Sequence, residues 1–74
     1  MKHNYIDPGI YAGKQFKLLM EKNNRTQERL AEDFNVDVRT VRRWIYEGIS
    51  DIYRIYEIAD YFEIDAQQML PGAQ

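Results

Sequence analysis

The sequence predicts an all-α protein, a compact bundle of about five short helices, and three observations carry that expectation. Apolar residues recur at steps of three and four along most of the chain, and no segment alternates with period two over a useful length. Helix-capping residues (Thr26, Asp37, Asp51, Asp65) stand just ahead of the apolar runs. With 74 residues the chain is one small domain that buries only about 60% of its unfolded surface, so its core is local.

The first helix is read from Tyr11 to Lys22, where Ala12, Phe16, Leu19 and Met20 keep a helical period. An earlier start also fits. Asp7 is placed to cap, Pro8 suits the first helical position and Ile6 could staple onto Tyr11, but Gly9 and Gly13 weaken the stretch between. Asn23 and Asn24 end the helix. Thr26 caps a second helix of about two turns carrying Leu30 and Ala31 and ending near Phe34, and Asn35 is the expected left-handed residue. Val36 points inward, and Asp37 caps a third helix whose inner face is Val38 or Val41, Trp44 and Ile45, closed by Gly48. A fourth begins at Ser50 or Asp51 and sets Ile52, Ile55, Ile58, Ala59 and Phe62 inward. A brief fifth runs from the Asp65 cap to Met69 and Leu70 before Pro71 stops it. The organisation expected is an N-terminal arm over 1–9, a helical domain over 10–70 and a tail over 71–74.

No cysteine and a single histidine, His3, exclude a disulfide scaffold and thiolate zinc sites; His3 has no partner at ligand spacing and is read as an arm residue. Hydrophobic residues make up 45% and charged residues 30%, the balance of a globular domain. The longest apolar run, Leu18 to Met20, is far too short for a membrane span, and no signal peptide is apparent, so a cytoplasmic protein with no membrane partner is expected. Net charge is −2 with a pI near 5.3, which argues against coating nucleic acid by bulk electrostatics. The distribution is uneven: residues 1–24 carry +2, 25–43 carry +1 and 44–74 carry −5. Within Asp37 to Tyr46, Arg39, Arg42 and Arg43 face one acid at the segment's own start.

The informative stretch is Gln27 to Tyr46. Two short helices meet at a turn when their inner faces are apolar, their crossing point is small and the turn admits a left-handed residue. Leu30, Phe34, Val36, Val41 and Trp44 supply the faces, Ala31 the crossing and Asn35 the turn. That is a helix-turn-helix pattern. Here the sequence resembles the lambda-repressor-like, Cro/CI-type (XRE family) DNA-binding domains of bacterial and phage repressors, over roughly Gly13 to Leu70. Thr26 to Ala31, Val36 to Val41, Gly48 and the run from Ile52 through Asp65 to Met69 and Leu70 carry the resemblance. Asn24, Asn35 and Glu63 stand where the family commonly has glycine, and Arg29 replaces an acid that often pairs with a basic residue of the first helix, here Lys17.

The resemblance implies a third helix lying in the major groove, with Val38, Arg39, Arg42 and Arg43 as base-reading candidates. Arg39 is the foremost of these, since a guanidinium donates two bonds to guanine O6 and N7, while Val38 suits a thymine methyl. Gln27, Thr40, Arg43 and Lys14 are the backbone-contacting candidates. The function implied is sequence-specific binding of double-stranded DNA by a transcriptional regulator, a small repressor acting on a palindromic operator as a dimer at least when on DNA. The alternative is a protein-interaction module, such as an antitoxin or adaptor, working through the acidic C-terminal third; exposed aromatics there would serve it. Tyr53, Tyr56, Asp65, Gln68 and Met69 are the candidate dimer surface. Trp44 belongs to the inner face and is read as core rather than as a stacking platform. Asp33 with Asp37, and Glu57 with Asp60, resemble carboxylate pairs, yet capping or solvation accounts for each. No enzyme, metal or cofactor is expected.

Overall fold

A computed structural model describes residues 7–72, and these are all-helical, with no strand among them. Four α-helices follow one another: α1 (Pro8–Lys22), α2 (Gln27–Phe34), α3 (Val38–Glu47) and α4 (Ile52–Tyr61). The expected fifth helix is a 3-10 helix, Ala66–Met69. Only four residues separate the Asp65 cap from Leu70, which Pro71 holds extended (φ −118°, ψ 140°), and so short a piece closes as a 3-10 turn.

Of the two starts open to α1, the chain uses the earlier. Asp7 Oδ1 accepts from the Gly9 N–H at 2.8 Å and the Ile10 N–H at 3.3 Å, with Pro8 in the first turn. The arm boundary expected after residue 9 therefore falls inside α1, while the arm over 1–6, His3 and the Ile6 staple lie outside the described residues. Gly13 is buried where α1 crosses α3: a β-carbon there would stand 2.2 Å from the Trp44 carbonyl oxygen. Farther up α1, the Ile49 N–H donates to the Gly9 carbonyl at 2.9 Å, and Gly48 takes a positive φ of 107° against Gly9. The glycines that weaken α1 as an isolated helix are what let it seat on the α3–α4 connection.

The remaining caps are used as the sequence suggests. Thr26 Oγ1 accepts from the Arg29 N–H at 3.0 Å, Asp37 Oδ1 from the Thr40 N–H at 3.2 Å, and Asp51 and Asp65 each from the N–H two residues on at 3.0 Å. Asn24, Asn35 and Glu63 all adopt left-handed backbone, with φ of 55°, 59° and 57°. Glu63 has no local side-chain bond there, a strain of about 1 kcal/mol.

The core forms around Phe16, whose ring meets Trp44 and Phe34 edge-on at centroid distances of 5.6 and 6.3 Å. Leu30, Val41, Ile45, Ile55 and Ile58 complete it with two corrections to the expected faces. Ile52, expected inside, is 42% exposed: it is the first residue of α4, and the buried face of that helix begins at Ile55. Met69, expected at the surface, is fully buried, since its short helix turns it inward. Ile49, in the α3–α4 connection and outside any helical period, is buried as well. No helix among the described residues is long and apolar enough to cross a membrane.

Candidate nucleic-acid interface

Successive helical residues turn about 100° around the axis, so Val41, Trp44 and Ile45 share the buried side of α3 and Arg39 and Tyr46 lie together opposite them. Arg42 and Arg43 flank that line on either side, and all four residues are exposed. The outer face of α3 is thus three guanidiniums around a tyrosine that is 71% exposed. Spacing singles out the inner face of this helix readily. Tyr46, seven residues past Arg39, is the member of the outer face that the sequence reading missed, although the same helical period identifies it.

The three arginines differ in their partners. Arg39 has no hydrogen bond or ion pair to another side chain among the described residues. Arg43 Nε lies 3.8 Å from Glu47 Oε1, a loose surface pair that constrains it little. Arg42 Nε donates to Gln27 Oε1 at 3.1 Å, across the turn from α3 to the first residue of α2. Gln27 and Arg42, expected to act separately on backbone and bases, are therefore one unit. With Nε engaged, Arg42 keeps its terminal Nη pair for a second acceptor.

Two other candidates are placed less favourably. Val38 is half-buried and packs against the core, which leaves only part of its side chain for a ligand. The Thr40 hydroxyl donates to Asp37 Oδ1 at 3.0 Å, so in this arrangement its proton serves the α3 cap and not a phosphate. The same bond, with the Thr40 N–H, holds the Asp37 carboxyl below the ordinary carboxylate range. Lys14 lies beside the far end of α3, lining a groove with Lys17, Ile45 and Tyr46.

Arg29 is turned away from this face. Its Nε donates to both Asp33 oxygens at 3.1 and 3.2 Å, and the Tyr61 hydroxyl of α4 donates to Asp33 Oδ2. The hydroxyl bond, and then Arg29, lower the Asp33 pKa, while burial and the adjacent carboxylate raise that of Tyr61. This triad ties α2 to α4, and Arg29 pairs within α2, not with α1. Asp33 and Asp37 thus have separate partners and duties.

The residues of the expected dimer surface are not all exposed. Tyr53 (80% exposed) and Tyr56 (54%) stand on the outer face of α4 with Ile52 and Asp60, and Gln68 is exposed near by in sequence. Asp65 spends one carboxylate oxygen on its cap, and the buried Met69 is removed from the set. Comparison with protein-family models, with curated proteins and with solved structures finds no match to this chain.

Proposed function

We propose that the protein binds double-stranded DNA sequence-specifically as a helix-turn-helix transcriptional regulator of the lambda-repressor-like type, a small repressor that inserts α3 into the major groove. The observation that carries this reading is the outer face of α3. Arg39, Arg42 and Arg43 project from one short helix, in a chain whose net charge is −2, while α2 braces that helix through Gln27. A local cationic face on an acidic protein suits a partner met by one surface rather than by bulk attraction. Arg39, free of side-chain partners among the described residues, reads a base edge; Arg42, held by Gln27, and Arg43 contact bases or the phosphates beside them. One short helix reads only a few base pairs, so two copies act together on half-sites about one helical turn apart.

Selection of bound duplexes from a random pool tests the proposal, followed by affinity measurements at rising salt. About four phosphate contacts per copy give a log–log slope near −3.6, or a loss of about 150-fold between 50 and 200 mM salt. Failure to enrich any duplex, together with no binding at low salt, refutes it. A second reading, docking to another protein, is favoured by one observation: Ile52, Tyr53 and Tyr56 are exposed together on the acidic α4. That activity would persist in Arg39→Ala, where DNA binding would not.

A further inference from the structure

Tyr46 has no part in the contacts proposed above, yet it occupies the middle of the outer face of α3. It makes no side-chain hydrogen bond among the described residues, and its ring borders a groove of about 490 Å³ shared with Ile45 and with one stripe of α1: Lys14, Lys17, Leu18 and Glu21. Tyr46 therefore stands where the arginines of α3 meet the two lysines of α1. Seven residues separate it from Arg39, about 10 Å along the axis at 1.5 Å per residue. With α3 lying in the groove and its N-terminal residues at the base edges, Tyr46 stands about 10 Å farther along the helix, toward the end where the α1 lysines approach the phosphate backbone.

We infer that Tyr46, with Lys14 and Lys17, forms a second phosphate-contacting flank. The Tyr46 hydroxyl donates to a phosphate oxygen, the ring lies along the adjoining sugar, and the two lysines carry the same strand toward α1. The inference rests on the DNA-binding reading and adds to it a contact that is blind to base sequence, made by a neutral donor beside two cations. Glu21, at the far end of the stripe, marks where the favourable surface stops.

The test measures binding of the full-length chain to a selected duplex and to a random duplex over a range of salt. The variants are Tyr46→Phe, Tyr46→Ala, Lys17→Gln and Arg39→Ala, with circular dichroism checking that each exposed-site variant folds. Tyr46→Phe should weaken both duplexes alike, about five- to tenfold, and leave the salt slope unchanged, because a hydroxyl displaces no counterion. Lys17→Gln should reduce the slope by about 0.9. Wild-type affinity in Tyr46→Phe overturns the hydroxyl contact, including the case where only Tyr46→Ala is impaired. Unchanged duplex binding in both Tyr46 variants, with altered self-association by light scattering, shows that the groove takes a second copy and also overturns it. Should the wild type bind no duplex, or Arg39→Ala bind as the wild type does, the fault lies with the DNA-binding reading itself.

Discussion

Replacing Gly13 by alanine sets two predictions of opposite sign against each other. Helix propensity alone favours the change by about 1 kcal/mol, since alanine is the better residue inside a 15-residue helix. Tertiary geometry opposes it. The new β-carbon would stand 2.2 Å from the Trp44 carbonyl oxygen and 3.2 Å from Gly48 Cα. Ordinary contact begins near 3.4 Å, so α1 and α3 must part locally by about 1.2 Å. The obstacle is backbone, which no rotamer change relieves, and Trp44 is also the ring that Phe16 and Phe34 meet edge-on. Overpacking typically costs about 1–3 kcal/mol and occasionally more, and an immovable neighbour at the α1–α3 crossing places this site at the upper end, about 3–4 kcal/mol. The net effect expected is a loss of about 2–3 kcal/mol, a large part of the roughly 4–11 kcal/mol available to a domain of this size. Urea denaturation followed by circular dichroism should show it as a lower midpoint, and heating as a Tm reduced by about 10–20 °C. Gly9→Ala is the control, because its nearest neighbour, the Ile49 carbonyl oxygen, is at 3.1 Å and need give way by only a few tenths of an ångström, so its loss should be much smaller than that of Gly13→Ala. A Gly13→Ala protein as stable as the wild type would show that α1 does not cross α3 at this point.

Glu63→Gly should stabilise by about 1 kcal/mol, because the left-handed conformation at φ 57° strains any residue with a β-carbon; a lower Tm would contradict that account. Gln27→Ala and Arg42→Ala should be non-additive in DNA affinity, with a coupling of about 0.5 kcal/mol or more in a double-mutant cycle, whereas Gln27→Ala and Arg39→Ala should add. Acid should weaken the fold through Asp33 and Asp37. Both folded-state pKa values are lowered, so the stability these groups contribute is present above about pH 4 and is lost as pH falls through their lowered values. Asp33→Asn should flatten that acid limb in urea titrations, and an unchanged limb would locate the loss elsewhere. On a palindromic duplex at saturating protein, light scattering should find two copies bound, fewer for Tyr56→Ala; a 1:1 complex would refute assembly on DNA.

What the sequence discloses depends on whether a feature is local. The caps at Thr26, Asp37, Asp51 and Asp65 close bonds spanning two or three residues, and Asn35 needs only its own left-handed backbone, so each is legible along the chain. The start of α1 is not, because Gly9 and Gly13 read as helix weaknesses until Trp44 and Ile49 are known to press against them. Met69 misleads for a related reason. A residue's facing follows from its helix type, and a 3-10 turn with three residues per turn rotates its side chain differently from an α-helix.

At the candidate site the same division separates position from partnership. Helical period puts Arg39, Arg42, Arg43 and Tyr46 on one face of α3, but it cannot rank them. The ranking comes from contacts between elements: Gln27, fifteen residues before Arg42, engages its Nε; Glu47 sits loosely beside Arg43; and Arg39 has no such contact among the described residues. A guanidinium already donating through Nε approaches a new acceptor with its Nη pair alone, whereas a free one offers either edge of its fork. If this face reads DNA as proposed, base discrimination falls first to Arg39. Arg42 can be retuned from α2 by changing Gln27, a residue that periodicity places on a different helix.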